Sequence, residues 1–104
     1  MSQDEDSPAE HDADEAAYEA AASALPPIDF TILVLSLNTS ALVHLGEKAD
    51  PSGRSRLDLP MARHTIDMLG ILEEKTRGNL TGEEERILHQ VLLDLRLRFT
   101  GKAG

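Results

Sequence analysis

Apolar residues recur at intervals of three and four over three separate stretches of the chain, the spacing of helices that bury one face. In the first stretch, residues 30–45, Phe30, Leu33, Val34, Leu37, Ala41 and Leu45 fall on one side. In the second, 59–77, the stripe is Leu59, Ala62, Ile66, Leu69 and Leu72, with Met68 and Ile71 on its flank. The third, 82–99, aligns Leu88, Val91, Leu92, Leu95 and Phe99, widened by Ile87. The pattern predicts an all-α fold, a small three-helix unit with helices over about 30–45, 59–77 and 82–99.

Start and stop signals bracket each stretch. Asp29 is placed to cap the first helix, and Gly46 follows its end. Asp58 is placed to cap the second, with Pro60 in its first turn. The sharpest punctuation lies between the second and third. Lys75 and Arg77 complement the helix's unpaired carbonyls, and Gly78 supplies the left-handed residue that closes it. Thr81 and Glu84 then form a capping box, and Glu83, Glu84 and Glu85 favour the positive end of the new helix. Helices joined this tightly fold back as an αα-hairpin. Pairs at i,i+4 are expected at Arg63–Asp67, Glu73–Arg77 and Asp94–Arg98. Gly70 sits mid-helix at a cost relative to alanine, which predicts a closely crossing neighbour.

The first stretch is apolar on more than one side. Ile32 and Val43 form a second patch and Leu35 and Leu42 a third, while Thr31, Ser36, Asn38, Thr39, Ser40 and His44 interrupt them. The uncharged run from Phe30 to Gly46 is shorter than the roughly 20 residues that a membrane span needs, and no basic cluster flanks it. Leu93 and Leu97 add further apolar surface to the third helix. Large exposed patches are rare on soluble monomers, and a domain this small has a marginal core. The expected partner is therefore a second copy: a symmetric homodimer forming a helical bundle with the first helix at its interface.

Charge divides the chain differently. Asp4, Glu5, Asp6, Glu10, Asp12, Asp14, Glu15 and Glu19 lie in the first twenty residues without a Lys or Arg, so that segment carries nearly all of the net charge of -9. The remaining acids almost balance the ten bases. Residues 1–27 are thus expected to be a disordered acidic tail, with at most a transient helix over Ala16–Ala22 and a boundary at Pro26-Pro27. It reads as a solubilising segment, with acidic docking or nucleic-acid mimicry as the functional alternatives. Residues 28–100 form the helical domain and 101–104 a frayed end. A nearly neutral domain, in a chain whose aromatics are Tyr18, Phe30 and Phe99, argues against general nucleic-acid binding. The chain holds no cysteine, and its acidic start does not resemble a secretory leader, so a cytoplasmic location is expected.

A search for chemistry finds little. The histidines are His11, His44, His64 and His89. His64 and Asp67 share a face but need further ligands from another helix to hold a metal. Ser40 and His44 are helix neighbours without an orienting acid or an elbow turn, so they do not make a nucleophile pair. Gly78–Gly82 lacks the lysine and spacing of a phosphate loop, and its glutamates would repel an anion. Arg54 and Arg56 are offset by Asp50 and Asp58 in a polar loop. No catalytic, cofactor-binding or metal-ligating residue is assigned, and no cofactor is expected.

Several blocks do resemble a known family. They are Phe30-Thr31-Ile32-Leu33-Val34-Leu35-Ser36-Leu37 with Ala41-Leu42 and Leu45-Gly46, Ala62-Arg63-His64-Thr65-Ile66-Asp67-Met68-Leu69, Leu72 through Thr81, and Asp94-Leu95-Arg96. Over about residues 28–100 they resemble a family of short bacterial proteins known only as a domain of unknown function. The resemblance implies a cytoplasmic, all-helical bacterial protein and supplies no reaction or ligand. Together with the lack of converging polar groups, it leads us to expect a non-enzymatic interaction or adaptor module, with an as yet unknown protein partner besides itself. The alternative is a small-ligand- or metal-binding bundle with enzymatic activity.

Overall fold

The structure is a computed structural model, and it describes residues 8–22, 25 and 27–104. Four helices follow in order: α1 (Pro8–Ala22), α2 (Phe30–His44), α3 (Leu59–Lys75) and α4 (Gly82–Ala103). α2, α3 and α4 pack pairwise against one another, and among the described residues α1 makes no contact with them. The fold is all-α, and its packed unit is the expected three-helix bundle.

The caps form as their residues dictate. Asp29 Oδ1 accepts from the Ile32 amide at 2.8 Å, and Asp58 Oδ1 from the Met61 amide at 3.1 Å. At the end of α2, Gly46 takes φ +76°, the Gly46 amide donates to the Val43 carbonyl, and the Glu47 amide donates to the Leu42 carbonyl. That pair of bonds is the Schellman closure, and glycine permits it at no steric cost. At the α3–α4 turn, Gly78 lies at φ +81°. The Glu84 amide donates to Thr81 Oγ1 at 3.1 Å, and the Thr81 amide donates to Glu84 Oε1 at 2.9 Å, which completes the capping box.

The core draws on all three helices: Val34, Ala41 and Leu45, then Ala62, Ile66 and Leu69, then Leu88, Leu92 and Leu95. Phe30, Leu37, Leu59, Leu72, Ile87, Val91 and Phe99 pack around it. Thr65 is also buried, although its hydroxyl marks it as polar. Its Oγ1 donates to the Met61 carbonyl at 3.2 Å, so the hydroxyl is paired within its own helix.

Helix directions follow from three contacts. The Asp58 amide donates to the His44 carbonyl at 2.7 Å, which brings the start of α3 to the end of α2. Leu45 and Leu57 meet beside it as an isolated antiparallel bridge. Glu47, just past α2, pairs with Arg98 at 3.4 Å and with Lys102 at 3.2 Å, near the end of α4. α2 and α4 therefore run the same way, and α3 runs against both.

Five expectations need correction. Leu33 is not in the core but remains 37% exposed, since α2 turns its Val34–Ala41–Leu45 edge inward. α3 ends at Lys75, not Arg77: Thr76 is its C-cap, and both the Thr76 amide (2.9 Å) and Oγ1 (2.6 Å) donate to the Leu72 carbonyl. Glu73 does not pair with Arg77; it faces His89 across the hairpin at 3.6 Å. α4 continues through residues 100–103, past the expected end near 99: Thr100 Oγ1 donates to the Arg96 carbonyl, and Lys102 pairs with Glu47. The fifth concerns Gly70. A methyl there would meet only the tip of the Arg96 guanidinium, at 3.4 Å, and no backbone. The tail also carries more helix than the Ala16–Ala22 stretch, starting at Pro8, where proline fits a first turn and an alanine-rich run sustains it. The expectations for residues 1–7, 23, 24 and 26 lie outside the described residues.

Candidate functional site

Two surfaces stand out. The first is the outer side of α2, which contains no Asp, Glu, Lys or Arg anywhere along its length. A solvent-facing helix ordinarily carries charge on that side. Here Ile32 (41%) and Leu35 (45%) are exposed together with Leu33, and Ile28 extends the apolar surface beyond the N-terminus. Ser36 and Thr39 lie between them as small uncharged residues.

The second is the seam between α3 and α4. Their antiparallel register is set by Glu73 against His89 and by Gly70 against Arg96. Two hollows lie along this seam. The larger, about 450 Å³, sits at the turn end among Glu73, Arg77, Leu80, Glu85 and His89. The smaller, about 280 Å³, sits at the other end among Arg63, Ile66, Asp67, Arg96, Phe99 and Thr100. The register places Gly70, Ile71 and Leu93 between them, and both Ile71 and Leu93 are 56% exposed. The Arg96 guanidinium lies over Gly70 between the two hollows, its Nη2 at 3.4 Å from where a Cβ would stand.

Charge along the seam is unevenly compensated. Arg63 Nε pairs with Asp67 at 3.4 Å, and Arg86 with Glu83 at 3.4 Å. Among the described residues, Arg77 and Arg96 have no acidic partner. On the other side of α4, Arg98 is held by Asp94 at 2.8 Å, which raises its pKa further above the guanidinium norm. The polar loop before α3 is ordered by Asp50, whose Oδ1 accepts from Ser52 Oγ at 2.6 Å and from the Ser52 and Arg54 amides at 2.9 Å. Those donors, led by the Ser52 hydroxyl, hold its carboxyl below the usual range. Arg54 and Arg56 are exposed in this loop.

The residues weighed for chemistry are not brought together. Asp67 turns to Arg63 and not to His64, and Ser40 makes no bond to His44. Among the described residues, no three of His, Asp and Glu stand close enough to share a metal ion. Also among them, no helix is long and apolar enough to cross a membrane. The sequence reading assigns Arg77 to its own helix end and gives Arg96 no role, because their place at the seam depends on which residues α3 sets opposite α4.

Taken together, these features define a small helical bundle with two surfaces that lack their usual cover, one uncharged and one mixed. Residues 27–101 match the family model described as "Domain of unknown function (DUF1844)". The chain belongs to that family. Comparison with curated proteins and with solved structures finds no match.

Proposed function

We propose that this chain is a non-enzymatic interaction module that works in the cytoplasm as a homodimer paired through α2. The observation that carries the reading is a helix with no charged residue of the Asp, Glu, Lys or Arg kind whose outer side is nonetheless exposed. A two-fold axis sets residues near it against their own copies, so any charge there meets its like. α2 presents Ile32, Leu33, Leu35, Ser36 and Thr39 to such an axis, and self-pairing meets no repulsion. Burying Ile32, Leu33 and Leu35 in both copies supplies apolar area that a bundle of this size cannot hide within itself.

Light scattering behind a sizing column, at several concentrations, tests the reading. The expected result is a dimer that becomes a monomer with unchanged helix content when Leu35 is replaced by Glu. A monomer at every concentration would overturn it. Native mass spectrometry and elemental analysis of the purified protein test the non-enzymatic part, since a stoichiometric metal or small molecule would favour the ligand-binding alternative.

A further inference from the structure

We propose that a second copy of this chain covers the α2–α3 face, so that the self-interface takes in Leu57, Met61 and Met68 as well as the outer side of α2. The inference rests on the self-pairing proposed above and names the second helix that completes it.

α3 sorts its charges to one flank. Between Leu59 and Leu72 its only Asp, Glu, Lys or Arg residues are Arg63 and Asp67. Both line the hollow shared with Arg96, Phe99 and Thr100 of α4. At 100° per residue, Met61 and Met68 fall on the other flank of the buried Ala62, Ile66 and Leu69 stripe, where α2 packs. Met61 is 42% exposed and Met68 39%, and Leu57 is 51% exposed just before the helix. The exposed His64 lies beside them, and the first full charge on this flank is Lys75, at the end of α3.

This edge continues the bare surface of α2. The bond from the Asp58 amide to the His44 carbonyl fixes where the two antiparallel helices meet. Equal rise along both then sets Met61 level with Ala41 and Met68 level with Val34. Seen along α3 from its first turn, α4 lies clockwise of the buried stripe and α2 anticlockwise. Helices are right-handed, so the flank of α2 that faces α3 is the one carrying Leu33 and Leu37. Leu33 and Met68 thus lie on one face of the bundle. Ser36 and Ser40, one turn apart on that face, keep its α2 side low.

Area and charge together identify the cover. Ile28, Ile32, Leu33 and Leu35 expose on the order of 400 Å² between them. A homodimer of ordinary size buries roughly 800 Å² per partner, about two-thirds of it apolar. The α2 residues fall short of that apolar share, and the α3 edge raises their total to on the order of 650 Å², which exceeds it. Leu33 and Leu35 also point about 160° apart round α2, so one crossing helix cannot cover both. A second copy suits the face because a two-fold axis through it sets no like charges together. The flexible side chains of Met61 and Met68 in one copy fill the low ground over Ser36 and Ser40 in the other, and the exchange is returned. Lys75 is left on the rim, where charge stays solvated.

Light scattering behind a sizing column, over a concentration series, measures self-association of the full-length protein and of its Leu35→Glu, Met68→Glu and Leu97→Glu variants, with helix content checked by circular dichroism. Met68→Glu is expected to weaken the dimer roughly a hundredfold or more, because it buries a carboxylate without a partner. Leu97→Glu, on the outer side of α4, should leave it unchanged. A second readout needs no substitution, since the methionines of the chain are Met1, Met61 and Met68. When methyl-labelled wild-type protein is diluted through dissociation, the Met61 and Met68 methyl signals should shift and that of Met1 should not. A dimer that survives Met68→Glu, or Met61 and Met68 signals that stay in place, would overturn the inference; if Leu35→Glu still dissociates that dimer, the α2 pairing stands without it. Equal weakening by Leu97→Glu would overturn it too, by putting α4 in the interface. A wild-type monomer at every concentration would overturn both readings and leave the face to a different protein.

Discussion

Gly70→Ala should stabilise the bundle, and the amount can be worked from its surroundings. A glycine inside a helix costs about 0.5–1 kcal/mol relative to alanine, chiefly through the freedom it loses on folding. Whether alanine recovers that depends on the space for its methyl. The nearest foreign atom is Arg96 Nη2 at 3.4 Å, the far end of a flexible, exposed side chain. Displacing it forfeits a contact or two, each worth about 0.1–0.2 kcal/mol. The net gain is therefore about 0.1–0.9 kcal/mol, which at about 4–8 °C per kcal/mol for a domain of this size raises Tm by up to about 7 °C. Urea unfolding followed by far-ultraviolet circular dichroism, at high salt and fixed protein concentration, measures it directly. Pairing the change with Arg96→Ala in a double-mutant cycle should give a coupling below about 0.5 kcal/mol. A lowered midpoint would refute the reasoning, because it would mean that the α3 and α4 backbones close on Gly70 and leave no room for a methyl.

Other perturbations test other links. Thr81→Ala removes one half of the capping box and should cost about 1 kcal/mol by the same unfolding assay. Leu69→Ala opens a cavity where all three helices meet and should cost about 2–5 kcal/mol, a large share of the stability of a small domain. Glu47→Gln releases Lys102, while Asp94 still holds Arg98, so the amides of residues 101–103 should exchange roughly two- to fivefold faster, and raising the salt concentration should narrow the difference. Asp50 should titrate below the ordinary aspartate value of about 3.9. Its folded pKa is depressed, so the order it lends the loop is present above the unfolded value and is lost as pH falls through the folded one. Amide shifts of Ser52 and Arg54 followed by NMR should share that low midpoint, and a midpoint at or above the usual value would contradict the hydrogen-bond account.

What the sequence disclosed was mostly local. Asp29, Asp58, Gly46, Gly78 and the Thr81–Glu84 box could be read because each acts within a turn or so of its own position. The core stripes of α3 and α4 were equally legible, since a 3.6-residue period alone selects Ala62, Ile66, Leu69, Leu88, Leu92 and Leu95. α2 was harder. Being apolar on several sides, it offers no polar face to say which edge turns inward, and Leu33 was misplaced for that reason. Gly70 misled because a helix glycine signals close approach only if backbone actually comes near, and here a side-chain tip does. The seam was not readable at all. It exists only once α3 and α4 are set side by side, when Glu73 meets His89 and Arg77 and Arg96 are left without acids. Thr65 carried a weak signal: threonine at a core position can be satisfied by its own helix, as it is here by the Met61 carbonyl.

The short turn from Thr76 to Thr81 also bears on how the chain reaches its fold. The connection from Leu45 to Asp58 is more than twice as long, and closing it costs about 0.7 kcal/mol more in chain entropy. The α3–α4 hairpin is thus the cheaper encounter, and its caps hold both helix ends at the turn before any distant contact forms. α2 arrives later, onto a surface that is already built. On this ordering, substitutions at the Gly78–Thr81 turn slow folding, whereas those on the inner edge of α2 chiefly hasten unfolding. The helix with the uncharged outer side is then also the last to join its own bundle and the first to leave it.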